Sequence, residues 1–403
     1  MPRMIARSRH EDHRASTPLE LFFDLCFVVA VAQAGARLVH ALAEGHVGAG
    51  LAGYAVVFFA IWWAWMNFTW FASAYDTDDP LYRVVTLVQI TGVLVLAAGV
   101  PRAFDDGDFT IAVIGYIVMR LALTSQWLRA AASSRDAAER RVCLRYAAGL
   151  VVCQLGWIAM LFVPESSHVW LFPLLALAEL SVPLLAERDH TTSWHPRHIA
   201  ERYGLFTLIV LGETVSAATI AVQEALDEHD ELGDLLPLAA GGLLIVFAAW
   251  WIYFAVPIHD HLRSNRQAFA WGYGHYVVLA SAAAIGAGLE VAIEQAVGKA
   301  HISAVAAAAA VTVPAALFLL TVWLLHARHF KRGPVQQLTL PVSAGLILLC
   351  TFAGRVGVPL AGVVAGLTVA VALALSRGGV GGAGFAVEDP VAVDGGSAVV
   401  HRA

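Results

Sequence analysis

The sequence predicts an all-α fold: a polytopic transmembrane helix bundle of about twelve spans with both termini in the cytoplasm. Three observations predict it. Hydrophobic residues make up 59% of the 403 residues and charged residues only 14%, whereas a soluble domain carries about 25% charged residues. The apolar residues form runs long enough to cross a bilayer, which takes about 20 residues in a helix. The lysines and arginines concentrate in alternate connecting segments.

Twelve apolar runs are the predicted spans, and helices are expected because a lipid core cannot satisfy an open backbone. The runs cover approximately residues 19–41, 49–71, 82–100, 109–128, 142–163, 169–186, 199–222, 235–256, 268–290, 302–326, 337–353 and 356–376. Only Gly354 and Arg355 separate the last two runs. Those two could therefore form a tight hairpin or a re-entrant pair.

The basic residues give the orientation. With the N-terminus in the cytoplasm, Arg102, Lys299 and Arg355 fall in outer segments, and Arg37 and Arg120 fall within spans. The other 20 of the 25 lysines and arginines then lie on the cytoplasmic side. Because cytoplasmic loops are enriched in lysine and arginine, this bias predicts a multi-pass protein of the cell (inner) membrane with both ends inside.

Two tryptophan pairs, Trp62-Trp63 and Trp250-Trp251, lie six spans apart, and each is followed by an acid where its span ends. This predicts a parallel repeat of two six-helix halves, as in transporters whose halves surround a central path. A chance likeness of aromatic-rich spans is the alternative. The expected organisation is a cytoplasmic arm at 1–18, a first half at 19–186, a cytoplasmic linker at 187–198, a second half at 199–376 and a disordered cytoplasmic tail at 377–403.

Four carboxylates, Glu20, Asp24, Glu179 and Glu213, lie in the apolar runs. A charge at the bilayer centre costs about 2.5–3.5 kcal/mol on insertion scales, and such residues usually mark ion or proton pathways. Glu20 follows a Thr-Pro pair that predicts a helix start, so it could simply complement the helix dipole. Asp24 lies one turn deeper on the same face, where that explanation weakens.

Glu213 is the acid expected nearest the bilayer midplane. It follows Glu201 by 12 residues, which is about 18 Å of helical rise. Two interpretations stay open: a buried ion pair with Arg120, or a carboxyl held protonated that couples to a substrate. Glu179 could also pair with Arg120 or join a proton relay.

A second group of polar residues is expected at the cytoplasmic face. It comprises His195, His198, Glu201, Arg202, Asp76 and Asp260. These include metal-ligand types, but their spacing is not the HExxH pattern, and none of the four cysteines has CxxC spacing. We therefore predict neither a metal site nor a cofactor. The residues that could line a cavity, or merely fill the bundle, are Trp62, Trp63, Trp250, Trp251 and His275.

Four stretches of the chain form a recognisable pattern. They are ELFFDL at 20–25, YDTDDPLYR at 75–83, HPRHIAERYGLF at 195–206 with LGE at 211–213, and GHYVVLASAAAIGAGLE at 274–290. In these stretches the chain resembles the bacterial low temperature requirement protein A family. The resemblance implies a polytopic bacterial membrane protein, but it implies no established substrate and brings no catalytic residues.

The first functional hypothesis is a secondary transporter or ion pathway that uses Asp24, Glu179 and Glu213 for proton or cation coupling. Its partners would be the lipid bilayer and a small solute or ion. Nucleic acid is not expected, because the net charge is −6 and no basic run occurs. One alternative is an intramembrane enzyme that acts on a lipid or carrier substrate at the cytoplasmic face. Another is a non-catalytic membrane factor that supports growth in the cold.

Overall fold

The computed structural model describes residues 3–8, 11, 14–229, 232–331 and 333–378. Within these ranges every regular element is a helix, as the sequence predicts. Eleven helical segments of this part of the chain are long and apolar enough to cross a membrane. Apart from its first two residues, the predicted tail 377–403 lies outside the described residues.

The first six long helices are joined by short connections, so each runs back along the one before. They are α1 (Pro18–Ala43), α2 (Val47–Tyr75), α3 (Pro80–Asp105), α4 (Thr110–Ser133), α5 (Ala137–Met160) and α6 (His168–Ala186).

The remaining described helices follow in chain order. They are α7 (Pro196–His229), α8 (Leu232–Tyr253), α9 (Asn265–Ala296), α10 (Ala304–Val322), α11 (Arg328–Phe330), α12 (Pro334–Cys350) and α13 (Gly357–Gly378), with a π-helical turn at Trp323–Ala327 that joins α10 to α11.

The starts of the helices are fixed by local chemistry. At α1, the Thr17 hydroxyl accepts a hydrogen bond from the Glu20 amide, and the Glu20 carboxylate accepts one from the Thr17 amide at 2.8 Å, which is a capping box. At α3, the Asp79 carboxylate accepts from the Leu81 and Tyr82 amides, both at 3.0 Å. These caps set the depth at which the polar residues of α1 and α3 lie.

The last apolar stretch is folded back on itself. The chain breaks at Gly354, whose φ of 58° and ψ of −122° are not helical. Ser343 of α12 accepts a hydrogen bond from Thr368 of α13 at 2.7 Å, and Gln336 donates to the Leu375 carbonyl at 3.4 Å. The earlier residue of α12, Gln336, thus meets the later residue of α13, Leu375. The two helices therefore form an antiparallel hairpin.

The packing order of α1–α6 recurs in the second group of helices, except that α8 also packs extensively on α13, whereas α2 and α6 make no comparable contact. In the first group, α1 packs on α2 and α3, α3 on α4, α4 on α5, and α5 on α6. In the second, α7 packs on α8 and α9, α9 on α10, α10 on α12, and α12 on α13. The two groups meet where α1 and α2 contact α7 and α9.

Glycines allow the closest of these contacts. A Cβ at Gly99 of α3 would lie 2.6 Å from the Ala112 amide nitrogen of α4, and a Cβ at Gly288 of α9 would collide with the Ala310 carbonyl group of α10. These approaches bring the helix backbones together, as small residues do at helix contacts in membranes.

We predict that Gly288→Ala destabilises the bundle and Gly35→Ala does not. The first must force α9 and α10 apart, and overpacking of this kind costs about 1–3 kcal/mol. Gly35 lies mid-helix in α1 with nothing within 4 Å of a built Cβ, so alanine there should be neutral or favourable. Thermal unfolding in detergent, followed by tryptophan fluorescence, measures both. Equal midpoints would contradict the proposed contact.

Candidate functional site

A cluster of charged side chains is buried at the arm end of the bundle, the end at which α1, α3 and α7 begin. Arg202 Nη2 donates to Asp24 Oδ1 at 2.6 Å, and Arg202 Nη1 lies 3.7 Å from Glu20 Oε1. His198 Nε2 lies 3.1 Å from Glu20 Oε1. All four side chains are fully buried. Helices α1 and α7 thus enclose two acids, an arginine and a histidine as one unit, the ion-pair cluster.

The cluster follows from matching positions in two helices. Both α1 and α7 start with a proline, and the third and seventh residues are Glu20 and Asp24 in α1 but His198 and Arg202 in α7. Residues four apart share one face of a helix. Since α1 and α7 contact each other, an acidic face of one meets a basic face of the other at the same depth.

Side chains of α2 complete the surroundings of Asp24. Trp65 Nε1 donates to Asp24 Oδ1 at 2.6 Å, and Arg202 Nη2 approaches the Thr69 hydroxyl at 3.5 Å. Asp24 Oδ2 and Arg202 Nε have no hydrogen-bond partner among the described residues. A buried polar atom without a partner costs about 1–3 kcal/mol. The cluster is therefore held firmly on one side and incompletely satisfied on the other.

Arg14, from the segment before α1, caps the end of α2. Its Nη2 donates to the Ala72 carbonyl at 2.6 Å, its Nη1 donates to the Ser73 carbonyl, and Nη2 lies 4.0 Å from Asp76 Oδ2. Cationic groups near the last carbonyls of a helix are favourable. Arg14 is 3% exposed, so part of the predicted cytoplasmic arm is built into the bundle.

The arm also contacts the start of α7. The Ser16 amide donates to Glu201 Oε1 at 3.0 Å, and His195 Nε2 lies 2.9 Å from the Glu11 carbonyl. The His195 amide donates to the Ser73 hydroxyl at 3.1 Å. Thus the arm lies across the ends of α2 and α7, which flank the ion-pair cluster.

The residues predicted to share the cytoplasmic face do not all meet. His195, His198, Glu201, Arg202 and Asp76 lie around the ends of α2 and α7. Asp260 instead lies in the turn Ile258–His261, where its exposed side chain pairs with His259 at 3.4 Å. Within the described part of the chain, no three or more histidine, cysteine and acidic side chains are placed to hold a metal ion.

Two of the three acids in the loop between α2 and α3, Asp78 and Asp79, form structural ion pairs. Asp79 caps α3 and pairs with Arg129 at 2.5 Å; burial raises its pKa, but these partners outweigh that effect and hold the pKa at about 2. Asp78 pairs with Arg83 at 2.7 Å. Asp76 differs, because burial and then the nearby Glu20 charge raise its pKa to about 6.

Arg120 pairs with Glu179, not with Glu213. Arg120 Nη2 donates to Glu179 Oε2 at 3.1 Å, and the indoles of Trp63 and Trp157 donate to the same carboxylate at 2.9 and 3.1 Å. The pairing proposed for Glu213 is therefore wrong: α4 and α6 both pack on α5, which brings Arg120 and Glu179 together. Glu179 has three donors and is 1% exposed.

Glu213 is only half-buried, and no hydrogen bond or ion pair joins it to another described residue. The two residues before it, Leu211 and Gly212, border an open groove between α7 and α8 together with Trp250 and Trp251. A Cβ at Gly212 would meet nothing within 4 Å. The structure thus places Glu213 at the side of the bundle and not in its interior.

The two tryptophan pairs that were predicted to line a cavity differ in their burial. Trp62 and Trp63 are buried, and Trp63 borders a small cavity with Asn67, Trp70, Trp127 and Phe269 among others. Trp250 and Trp251 are 44% and 40% exposed, so their expected place in an interior cavity is corrected to an open groove.

His275 is held in a packed cluster. Its Nδ1 donates to the Trp271 carbonyl at 2.8 Å, which leaves Nε2 to accept from the Tyr253 hydroxyl at 3.0 Å. The ring is fully buried, and both nitrogens have partners. These contacts favour a structural histidine over a cavity-lining one.

Sequence reasoning missed Arg14, Trp65 and Thr69. Arg14 is one of the 20 basic residues that indicate the orientation, and its place six residues before Glu20 gives no sign that it turns inward. Trp65 belongs to a run of aromatic residues in which any member could face Asp24. Contacts between residues far apart in the chain decide these roles.

Residues 15–376 match the model of the family described as bacterial low temperature requirement A protein (LtrA). The chain is also similar to an uncharacterized protein of Rhizobium meliloti (strain 1021), with 27% identity over 292 residues, which cover 68% of each chain.

We predict that Arg202→Met is strongly destabilising, because it leaves two buried carboxylates without their cation. Removal of one partner from a buried pair costs about 3–5 kcal/mol. The double variant Asp24→Asn/Arg202→Met should recover much of that loss, since an asparagine side chain in place of Asp24 still accepts from Trp65. Melting temperatures in detergent measure the effect. A double variant no more stable than Arg202→Met would contradict a direct pair.

We predict a stability change with pH that depends on Asp76. Its pKa of about 6 in the folded protein exceeds the ordinary value of 3.8, so the folded state binds this proton more tightly than the unfolded state. The contribution of Asp76 should therefore rise as the pH falls from about 7 to about 4, by up to about 3 kcal/mol.

Asp76→Asn is the control for this effect, because it keeps the oxygen that accepts from the Asp78 amide at 2.9 Å. The difference in unfolding free energy between wild type and variant should change through this pH range. Parallel pH profiles for the two proteins would show that Asp76 is not the group responsible.

Proposed function

We propose that this chain, which belongs to the bacterial low temperature requirement A family, is an inner-membrane secondary transporter or ion pathway coupled at Asp24. The observation that supports this most is the ion-pair cluster: two carboxylates, one arginine and one histidine at 0% exposure. Buried charges are normally paired, and here two carboxylates share one permanent cation, Arg202.

The charge balance of the cluster suggests what it binds. Glu20 and Asp24 together face Arg202, so one negative charge remains whenever His198 is neutral. An uncompensated charge in a low-dielectric interior is strongly unfavourable. The unit therefore favours uptake of one proton or one small cation. Glu20 Oε1, His198 Nδ1 and Asp24 Oδ2 all lack a hydrogen-bond partner among the described residues, but Glu20 Oε1 lies 3.1 Å from His198 Nε2, so we propose Asp24 Oδ2 as the acceptor.

The proposed architecture has twelve crossings in two parallel six-helix halves, with both termini in the cytoplasm. The recurring packing order, the hairpin at Gly354 and the distribution of arginines support it. In this arrangement α1 and α7 are equivalent helices, and the ion-pair cluster joins the two halves. A site between halves is where transporters built from repeats hold coupling ions.

The other two carboxylates have different expected roles. Glu179 accepts three hydrogen bonds, so we propose that it holds α2, α4, α5 and α6 together. Glu213 has no such partners and is only half-buried. It could exchange a proton, as an independent coupling site, and the same experiment decides this.

Proton flux into proteoliposomes tests the proposal. Purified protein is reconstituted with an internal pH-sensitive dye, and a potassium diffusion potential is applied with valinomycin. Wild type should acidify the lumen, Asp24→Asn should fall to the level of empty vesicles, and Asp106→Asn, at an exposed position after α3, should match wild type. Repetition with sodium or potassium gradients covers cation coupling.

Two results would remove the proposal. One is wild-type flux equal to that of empty vesicles under every gradient. The other is a well-folded Asp24→Asn protein with wild-type flux. Glu213→Gln, measured alongside, assigns a coupling role to Glu213 only if its flux falls while its melting temperature is kept.

A further inference from the structure

Helix α3 carries a line of polar side chains into the interior of the bundle. Tyr82, Thr86 and Gln89 are four and three residues apart, which places them on one helix face. They are 1%, 0% and 2% exposed. The Tyr82 hydroxyl, Thr86 Oγ1 and Gln89 Nε2 all lack a hydrogen-bond partner among the described residues. We call these three residues the α3 stripe.

The stripe runs beside the ion-pair cluster. Helices α1 and α3 are separated in sequence by one antiparallel helix, so they run in the same direction, and they pack on each other. Tyr82 lies within electrostatic range of Glu20, Asp76 and Arg202. One turn further along each helix are Asp24 in α1 and Thr86 in α3.

Two acids beside the stripe are also incompletely satisfied. Asp76 Oδ2, at the arm end, and Asp24 Oδ2, in the cluster, both lack hydrogen-bond partners among the described residues. Asp76 is 7% exposed and Asp24 fully buried. Unpaired oxygen and nitrogen atoms therefore occur in the loop at Asp76, in the cluster at Asp24 and in the stripe on the helix that packs against α1.

We infer that the α3 stripe binds a file of water molecules that carries protons between Asp76 and Asp24. Buried waters typically make about three hydrogen bonds to otherwise unsatisfied polar groups, and hydroxyls both donate and accept. This inference rests on the proposed role of Asp24. It adds to that proposal the path of the proton along α3 and the water molecules that carry it.

The proton balance of the route is simple. A proton from the aqueous phase binds the Asp76 carboxylate, passes to the first water, moves along the file by exchange of O–H bonds, and protonates Asp24 Oδ2. No other covalent bond changes. The charged or titratable groups that face the route are Glu20 and Asp24 from α1, Arg14 from the arm, Asp76 from the loop, and His198 and Arg202 from α7.

Radiolytic hydroxyl-radical labelling of the full chain in detergent tests for the water directly. Radicals formed from bound water modify the side chains beside it, even where bulk solvent cannot reach. Tyr82 should be modified, and Tyr203 is the matched control: it is fully buried, but its hydroxyl accepts from Trp70 at 3.1 Å. Tyr82 labelled no faster than Tyr203 would overturn the inference.

Proton flux with apolar replacements tests the route. Thr86→Val and Gln89→Leu keep the approximate shape but remove the unpaired atoms, so flux should fall toward that of empty vesicles while the melting temperature stays or rises. Thr91→Val is the control, because Thr91 lies on the exposed face of α3 and bonds the Leu87 carbonyl.

The outcomes separate the two proposals. If Asp24→Asn stops the flux but Thr86→Val and Gln89→Leu do not, the route along α3 is wrong and the proposed function stands. If wild type shows no flux, the proposed function and the proton-carrying role both fail, whatever labels Tyr82.

Discussion

The ion pair between Asp24 and Arg202 constrains the rest of the molecule. A fully buried acid and base must lie within hydrogen-bond distance of each other, here 2.6 Å. Helices α1 and α7 therefore have to begin at the same depth and face each other. The capping box at Thr17 and the prolines that start both helices fix that depth. Trp65 of α2 then has one place in which its indole can reach Asp24. The arm follows, because Arg14 caps the end of the same helix.

The two buried carboxylate sites differ in their hydrogen-bond environment, which is why we propose a structural role for Glu179 and a coupling role for Asp24. Glu179 is bound by an arginine and two indoles, so both of its oxygens have donors. Asp24 has donors on one oxygen only, and a second acid lies one turn away. A carboxylate with donors on both oxygens gains little from a proton, whereas in our proposal the Asp24 and Glu20 pair gains from one. Charge at membrane depth alone does not distinguish these cases.

Much of the fold was predictable because it depends on local composition. The apolar runs give the helices, and the glycine at 354 marks the break between the last two. The individual site residues were predictable as acids and bases at unusual depth. Their partners were not, since Asp24 and Arg202 are 178 positions apart. The prediction that Trp250 and Trp251 face the interior was wrong for a similar reason. Helix α8 is apolar around most of its circumference, so the sequence has no periodicity that distinguishes an interior face from a lipid face.

Opposite charges at equal positions in α1 and α7 have a consequence for how such a protein can assemble. Two copies of the first six helices would bring four acids together at their contact, and two copies of the second would bring two arginines and two histidines together. Each group of helices is thus complementary to the other and repelled by itself. If the two groups arose by gene duplication, this difference in charge would favour the fused pair over a symmetric dimer of either group.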